Sequence, residues 1–248
     1  MLISLVTWVI MLLAYFIYAH PWSLGLKRPI IRVKVAGGLI AVISDLHLRD
    51  ARSKVDPAIN EFLLSMNVKY VIVAGDLFDR YHRGFDQRRL HLTLASTLGD
   101  LCKRGVNVYY VVSSSSHDPI PPKDVIKFLC YGSEILVVKG VLALEAEGLT
   151  LYVTHGDYAS RNGFLARLIE RVASALGQRL LLERRVKKAL GIPQDSWLVM
   201  GHTHLPGVDY RRRVANCGAW QPHLFVKASK TLILFKGCKR PLLLSFTA

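Results

Sequence analysis

The chain has 248 residues, of which 51% are hydrophobic and 21% are charged. These values exclude a disordered chain, and the length suits one domain with a sizeable core. The net charge of +15 favours a partner with phosphate groups, either an anionic membrane surface or a nucleic acid. Four widely spaced cysteines predict reduced, mostly buried thiols, with one disulfide as the alternative.

The first nineteen residues form an apolar run without a charged side chain. As a helix, this run would measure about 28 Å, close to the ~30 Å hydrocarbon core of a bilayer. We therefore expect a membrane anchor helix and linker over residues 1–26. A cleaved signal peptide and a buried helix are the alternatives, although a signal peptide would normally begin with basic residues that are absent here.

Basic residues follow the apolar run, beginning with Lys27 and Arg28. Positive residues that flank a membrane span stay on the cytoplasmic side. The sequence thus predicts a membrane-anchored protein whose remaining domain, residues 27–248, lies on the cytoplasmic side.

Short apolar runs alternate with helical stretches through the rest of the chain. Strands are expected at 30–35 and 39–43, joined by a Gly37-Gly38 hairpin turn. Helices are expected at 57–66, 88–104 and 123–131. Further strands are expected at 70–74, 106–112, 135–138, 149–154, 197–200, 214–217, 231–235 and 242–246. This mixture predicts a layered α/β sandwich.

Residues 160–190 differ from the rest because they combine helical periodicity with eight basic residues and only two acidic ones. We expect a basic helical insertion in this interval. It is either a solvated helical face packed on the domain or an amphipathic flap for a lipid surface or an anionic substrate.

Asp and His residues follow five of the expected strands at the point where each strand ends. They stand in the segments Asp45-Leu46-His47, Gly75-Asp76, His117-Asp118, His155-Gly156-Asp157 and Gly201-His202-Thr203-His204. Because strand ends meet along one edge of an open α/β sheet, these side chains are expected to converge. A single such motif is usually a turn or a helix cap, but five in order are hard to explain that way.

Carboxylates and imidazoles without thiolates suit divalent Mn, Fe or Zn. Without metal, such a cluster would bury unpaired charges. Two cations about 3.5–4 Å apart correct this imbalance and can clamp a phosphoryl group during in-line displacement. The cluster therefore predicts two divalent metal ions, with Mn as the first candidate, and hydrolysis of a phosphoric ester.

The ordered set resembles the calcineurin-like metallophosphoesterases, whose motifs are D-x-H, G-D-x-x-D, G-N-H-[DE], H and G-H-x-H. The resemblance implies a four-layer α/β/β/α sandwich. It implies one metal held by Asp45, His47, Asp76 and His204, and a second held by Asp76, His155, His202 and Ser116. It also implies that His117 faces the phosphate and is oriented by Asp118. Asp79 is expected to contact the ligand residues without binding a metal itself.

The third motif departs from the family pattern, because Ser116 stands where the family has Asn. A serine hydroxyl is shorter than an asparagine amide and is a weaker donor to a metal. Reduced activity, or a binding protein without turnover, is therefore an alternative to a fully active enzyme.

Details of the motifs are similar to those of the UDP-2,3-diacylglucosamine hydrolases, including Gly-Asp-Leu-Phe-Asp at 75–79 and Gly-His-Thr-His-Leu-Pro at 201–206. That group usually has Arg where this chain has His117. The resemblance implies cleavage of a pyrophosphate in a lipid-linked nucleotide at the membrane, and a helical insertion that covers the acyl chains.

Arginines near the motifs are candidates for binding the substrate phosphates. They are Arg80, Arg83, Arg88, Arg161 and Arg167. A DNA nuclease is the main alternative, because Gly-Asp-Leu-Phe-Asp also occurs in exonuclease subunits of double-strand-break repair and the net charge suits a nucleic acid.

Overall fold

The structure is a computed structural model that describes residues 7–11, 28–49, 53–81, 84–114, 117–160, 162–222, 227–237 and 240–246. Thirteen strands are present among them: β1 Ile30–Lys34, β2 Leu39–Ile43, β3 Val68–Ala74, β4 Asn107–Val112, β5 Val125–Cys130, β6 Ser133–Lys139, β7 Val141–Ala146, β8 Leu149–Val153, β9 Trp197–Met200, β10 Gly207–Asp209, β11 Val214–Asn216, β12 Thr231–Lys236 and β13 Leu242–Ser245. They form two sheets. The seven-stranded sheet has the order β13-β12-β2-β3-β4-β6-β5, and the six-stranded sheet has the order β1-β7-β8-β9-β11-β10.

Four helices accompany the sheets: α1 Pro57–Ser65, α2 Gln87–Cys102, α3 Gly163–Ala175 and α4 Leu181–Ala189. Three of them begin at a side chain that accepts a backbone N–H of the first turn, namely Asp56, Asp86 and Asn162. Such caps satisfy amide groups that have no partner within the helix.

The apolar residues divide into layers. Alternate residues of β2, β3 and β4 face two different cores, because successive side chains of a strand point to opposite faces. One core packs α1 and α2 on the outer face of the seven-stranded sheet. A second lies between the two sheets, and a third packs Val186 of α4 against the outer face of the six-stranded sheet. Helix α3 packs on α4. The expected order of helix, sheet, sheet and helix is therefore observed.

The expected hairpin between residues 30–35 and 39–43 is wrong. Strand β1 pairs in parallel with β7, from Ile30 opposite Val141 to Lys34 opposite Glu145, whereas β2 lies in the other sheet. The Gly37-Gly38 turn thus connects two sheets. Gly38 has φ +152°, and a Cβ there would lie 2.9 Å from the Lys69 side chain.

The helix expected at 123–131 is also wrong, because this segment forms β5, which pairs antiparallel with β6. Burial alternates along it, with Ile126 and Phe128 buried and Lys127 exposed. Tyr131 and Gly132 join the two strands with φ values of +50° and +84°. Two consecutive left-handed residues suit a tight hairpin whose twist matches its strands. Strands β7 and β10 were not expected from the sequence.

Most of the expected anchor, residues 1–26, lies outside the described residues. Residues 7–11 are helical, and the side chains of Trp8, Val9, Ile10 and Met11 are exposed. In the parts of the chain that the structure describes, no helix combines the length and the apolar character needed to cross a membrane. Among the described cysteines, Cys102, Cys130 and Cys217 are buried free thiols, as expected.

Candidate active site

The Asp and His residues that follow the strands converge at one edge of the two sheets. Asp45 and His47 follow β2, and Asp76 follows β3. His155 follows β8, and the loop after β9 supplies His202 and His204. Three sets of residues offer ligand atoms that lie within 4.8 Å of one another inside each set. The sets are Asp45, His47 and His204; His47, Asp76 and His117; and Asp45, Asp76 and His155.

Backbone conformation turns these side chains toward a common centre. Asp45, His47, Asp76, His202 and His204 have φ values of +53°, +42°, +48°, +68° and +56°, and they make up half of the ten non-glycine residues described with positive φ. Each such conformation costs on the order of 1 kcal/mol or more, and it persists where the surrounding structure enforces it. Concentrated strain of this kind is typical of functional sites.

Two carboxylates form the middle of the cluster. Asp45 Oδ1 lies 3.0 Å from His204 Nε2, and Asp76 Oδ2 lies 3.3 Å from His155 Nε2. His47 lies between them, with its Nε2 atom 3.9 Å from both Asp45 Oδ1 and Asp76 Oδ2. His47 can therefore approach an ion together with either carboxylate.

Backbone carbonyls orient three of the imidazoles. His155 Nδ1 donates to the Ala74 carbonyl at 2.9 Å, and His202 Nε2 donates to the Ser160 carbonyl at 2.5 Å. His117 Nδ1 makes the same kind of contact with the Asp79 carbonyl. A ring nitrogen that donates outward leaves the other nitrogen available as a metal ligand, which is the usual arrangement around protein-bound metals.

The electrostatics fit a divalent cation. Burial opposes ionisation of Asp45, but His204 and His155 outweigh it and lower the pKa of Asp45 to about 2. Burial lowers the pKa of His47 to about 4, so its imidazole is neutral at pH 7. Burial also opposes the protonation of His155, but Asp76 raises the pKa of His155 well above its ordinary value. Ionised carboxylates and a neutral imidazole are the forms that bind metal, and a cation would replace the proton on His155.

Two glycines leave room for these ligands. A Cβ at Gly75 would lie 2.5 Å from the His155 ring. A Cβ at Gly201 would collide with the Asp45 carboxylate and the Ser44 side chain. The glycines of both motifs are therefore required by close packing against ligands.

Asp118 anchors the backbone beside the cluster. Its carboxylate accepts the N–H groups of Asp76 at 2.9 Å, Leu77 at 3.1 Å and Ser113 at 2.8 Å. Burial, with the charge of Asp76 nearby, raises the pKa of Asp118 to about 6. These contacts tie the ends of β3 and β4 together, whereas the sequence had suggested that Asp118 orients His117.

Two further residues, to which the sequence analysis assigned no function, hold the site loops. Asp157 accepts the backbone N–H of Ser114 at 2.6 Å and also contacts its hydroxyl. The Asn216 amide donates to Glu183 Oε1 and to the Gly201 carbonyl, both at 2.7 Å. Asn216 thereby connects α4 to the loop of His202. Asn216 begins the segment Asn216-Cys217-Gly218-Ala219-Trp220, which resembles the Asn-x-Gly-Ser-Trp segment of the hydrolases named in the sequence analysis, and this resemblance was the available signal.

The arginine candidates have different environments. Arg167 on α3 is half-buried and donates from Nη1 to the His204 carbonyl at 3.1 Å. Arg80 and Arg88 are exposed, and Asp79 is half-buried beside His47 in a cleft. Ser116, Arg83 and Arg161 lie outside the described residues.

Residues 39–237 match the family model of the calcineurin-like phosphoesterase superfamily domain. The chain belongs to this superfamily. It is a phosphoester-hydrolysing enzyme whose buried Asp and His residues are suited to divalent metal.

Curated relatives carry a more specific name. UDP-2,3-diacylglucosamine hydrolase from Photorhabdus laumondii is 24% identical over 198 residues, which cover 67% of this chain and 82% of the relative. The hydrolase of the same name from Pectobacterium carotovorum is 26% identical over 217 residues, which cover 72% and 89%. Among solved structures, a novel archaeal phosphodiesterase is similar with a TM-score of 0.44 and 15% identity, over 84% of this chain and 99% of that one.

Proposed function

We propose that this enzyme hydrolyses a phosphodiester or pyrophosphate bond in a lipid-linked nucleotide, with UDP-2,3-diacylglucosamine as the type of substrate. Two curated relatives with that activity in their names support the choice of substrate. The structural observation that carries the proposal is an apolar, arginine-bearing helix beside the Asp and His cluster.

That helix is α3, which connects the cluster to an exposed apolar surface. Arg167 reaches the His204 carbonyl, while Phe164 is 56% exposed and Leu168 is 39% exposed on the same helix. Neighbouring apolar side chains that are exposed beside a site offer a surface for an apolar ligand or partner. Acyl chains of a lipid substrate would cover this surface while its phosphates reach the cluster.

The reaction would use two divalent ions, with Mn, Fe and Zn all compatible with the ligands. Asp45, His47, Asp76 and His204 would hold one ion. Asp76, His155, His202 and Ser116 would hold the other, with Asp76 shared between them. Such a pair supplies Lewis acidity and an activated water for attack on phosphorus.

The remaining side chains of the cluster act on the substrate or on the ligands. His117, held by the Asp79 carbonyl, would face the phosphate and stabilise charge on its oxygens. Asp118 would keep Asp76 in place through the backbone N–H of that residue. Arg167 would add a positive charge next to His204. Arg80, Arg83, Arg88 and Arg161 would be further contacts for the substrate phosphates.

The apolar residues 1–19 and the basic residues after them favour a membrane anchor over residues 1–26, with residues 27–248 on the cytoplasmic side. Extraction of membranes with alkaline carbonate tests the anchor. The full chain should remain in the membrane pellet, and a chain lacking residues 1–26 should be released. Release of the full chain would exclude an anchor that spans the membrane.

Substrate class is tested by hydrolysis assays with Mn²⁺ on UDP-2,3-diacylglucosamine, single-stranded DNA and double-stranded DNA. We expect cleavage of the lipid nucleotide and no cleavage of DNA. The Asp45→Asn variant serves as a control for contaminating hydrolases and should be inactive on every substrate. Cleavage of DNA with the lipid nucleotide intact would replace this proposal with a nuclease.

A further inference from the structure

A cleft with a volume of about 600 Å³ lies beside the carboxyl-terminal half of α4. Volumes in this range hold small-molecule ligands in many proteins. Five of its ten lining residues are basic: Arg184, Lys187, Lys188, Arg211 and Arg212. None of the ten is acidic, and basic residues make up only 33 of the 248 residues of the chain. The fraction of basic residues is therefore much higher around this cleft than in the whole chain.

The cleft lies at the opposite end of the six-stranded sheet from the Asp and His cluster. Strands β9 and β11 are parallel. The cleft is lined by Gln194 and Arg212, which precede these strands, whereas His202 follows β9. The four residues of β9 span about 13 Å at about 3.3 Å per residue. A ligand in the cleft would therefore not contact the metal-binding residues.

Two of the basic residues form hydrogen bonds that hold the segments lining the cleft. Lys187 is 7% exposed, and its Nζ atom donates to the carbonyls of Ser196 at 2.7 Å, Arg212 at 2.8 Å and Gln194 at 3.2 Å. Arg212 Nη1 donates to Asp209 Oδ2 at 2.9 Å. These bonds fix the turn between β10 and β11 against the segment that leads into β9. The cleft is therefore preformed in the absence of a ligand.

Three other basic residues of the cleft have donor groups that could bind a ligand. Arg184 donates from Nη2 to Gln178, while its buried Nε atom has no hydrogen-bond partner among the described residues. Lys188 and Arg211 are exposed, and neither forms an ion pair within the described parts of the chain. Three cationic groups around one half-open cleft suit a group with several anionic oxygens. Ile192, Pro193 and Val214 add an apolar wall for the organic part of a ligand.

We propose that this cleft is a second binding site, separate from the metal cluster, for a ligand that carries a phosphomonoester or pyrophosphate group. Such a group is found on soluble nucleotides and on anionic lipids. The basic residues of the cleft would bind the phosphate that both kinds of ligand carry.

Binding is measured by calorimetry on the full chain in a mild non-ionic detergent, with EDTA present so that the cluster holds no metal. The probes are inorganic pyrophosphate and monomeric dihexanoyl phosphatidic acid. We expect one site per chain for at least one probe. Tighter binding of the lipid probe would identify a lipid head group as the source, and tighter binding of pyrophosphate would identify a soluble ligand.

The double variant Lys188→Glu/Arg211→Glu should weaken binding at least tenfold, and Lys188→Gln/Arg211→Gln should weaken it less. The control Lys123→Glu/Lys236→Glu makes the same change of charge at exposed residues away from the cleft and should retain the wild-type affinity. Absence of binding by the wild type, full binding by the cleft variants, or equal loss in the control would overturn the proposal.

Discussion

The guanidinium of Arg167 donates to the backbone carbonyl of His204 at 3.1 Å, so the helical insertion directly supports a residue of the candidate metal centre. Hydrogen bonds from charged groups contribute about 1.5–3 kcal/mol. We therefore expect Arg167→Ala to lower kcat/KM about tenfold or more on a generic phosphodiester substrate such as bis-p-nitrophenyl phosphate.

Arg171 provides the matched control, because it lies one turn later on the same helix and is exposed. Arg171→Ala should leave kcat/KM within twofold of the wild type. Equal losses in the two variants would indicate that the general positive charge of α3 matters and that the contact with His204 does not.

Gly201→Ala should reduce both metal content and activity. The added Cβ would collide with the Asp45 carboxylate, which must then move away from His204. We expect at least a tenfold loss of kcat/KM, with metal content measured on the same sample by plasma mass spectrometry. Gly37→Ala adds the same methyl group where nothing lies within 4 Å, and it should behave as the wild type. A fully active Gly201→Ala enzyme would contradict the described packing of the cluster.

The acidic pair between α3 and α4 should make stability depend on pH. Burial and the neighbouring Glu170 raise the pKa of Glu183 to about 8, and burial raises the pKa of Glu170 to about 7. A carboxyl whose pKa is raised by folding favours the folded state most at acidic pH. This contribution is lost as the pH rises from about 4.5 toward 8.

Glu183→Gln keeps an acceptor for Asn216 and removes the buried charge. Its Tm should therefore exceed that of the wild type by about 5 °C at pH 8.5, and the difference should shrink toward zero near pH 5. Glu147→Gln changes an exposed carboxylate and should show no such trend. A difference in Tm that stays constant between pH 5 and pH 8.5 would rule out titration of Glu183 in this range.

Ser116→Asn restores the residue that the superfamily motif carries at this position. The amide oxygen should strengthen the second metal site and raise kcat/KM about tenfold, a size typical of changes around metal ligands. Ser174→Asn, on the exposed face of α3, is the control. Unchanged rate and metal content in Ser116→Asn would show that residue 116 lies outside the site.

The sequence predicted the convergence at the site because every ligand follows a strand, and the ends of parallel strands meet along one edge. It did not predict which sheet each strand would join. Strand β1 resembles the first half of a hairpin, yet its pairing with β7 depends on contacts with residues more than one hundred positions later.

Local pattern also failed for 123–131, which we expected to form a short helix after the Pro121-Pro122 pair. The alternation of buried Ile126 and Phe128 with exposed Lys127 was the available signal for a strand. Functions of Asp118 and Asn216 were harder to foresee, because their contacts run to backbone atoms of distant loops. The spacing of residues within a motif does not predict contacts of this kind.

The shared use of Asp76 by two metal ions is the central claim, and the metal content of purified protein tests it most directly. Plasma mass spectrometry after reconstitution with Mn²⁺ should give two ions per chain for the wild type and for the exposed control Asp124→Asn. Asp76→Asn should hold at most one ion and lose activity, while its far-ultraviolet circular dichroism remains that of the folded wild type. A wild type that binds fewer than two ions, or an Asp76→Asn variant that retains both, would contradict the two-metal centre.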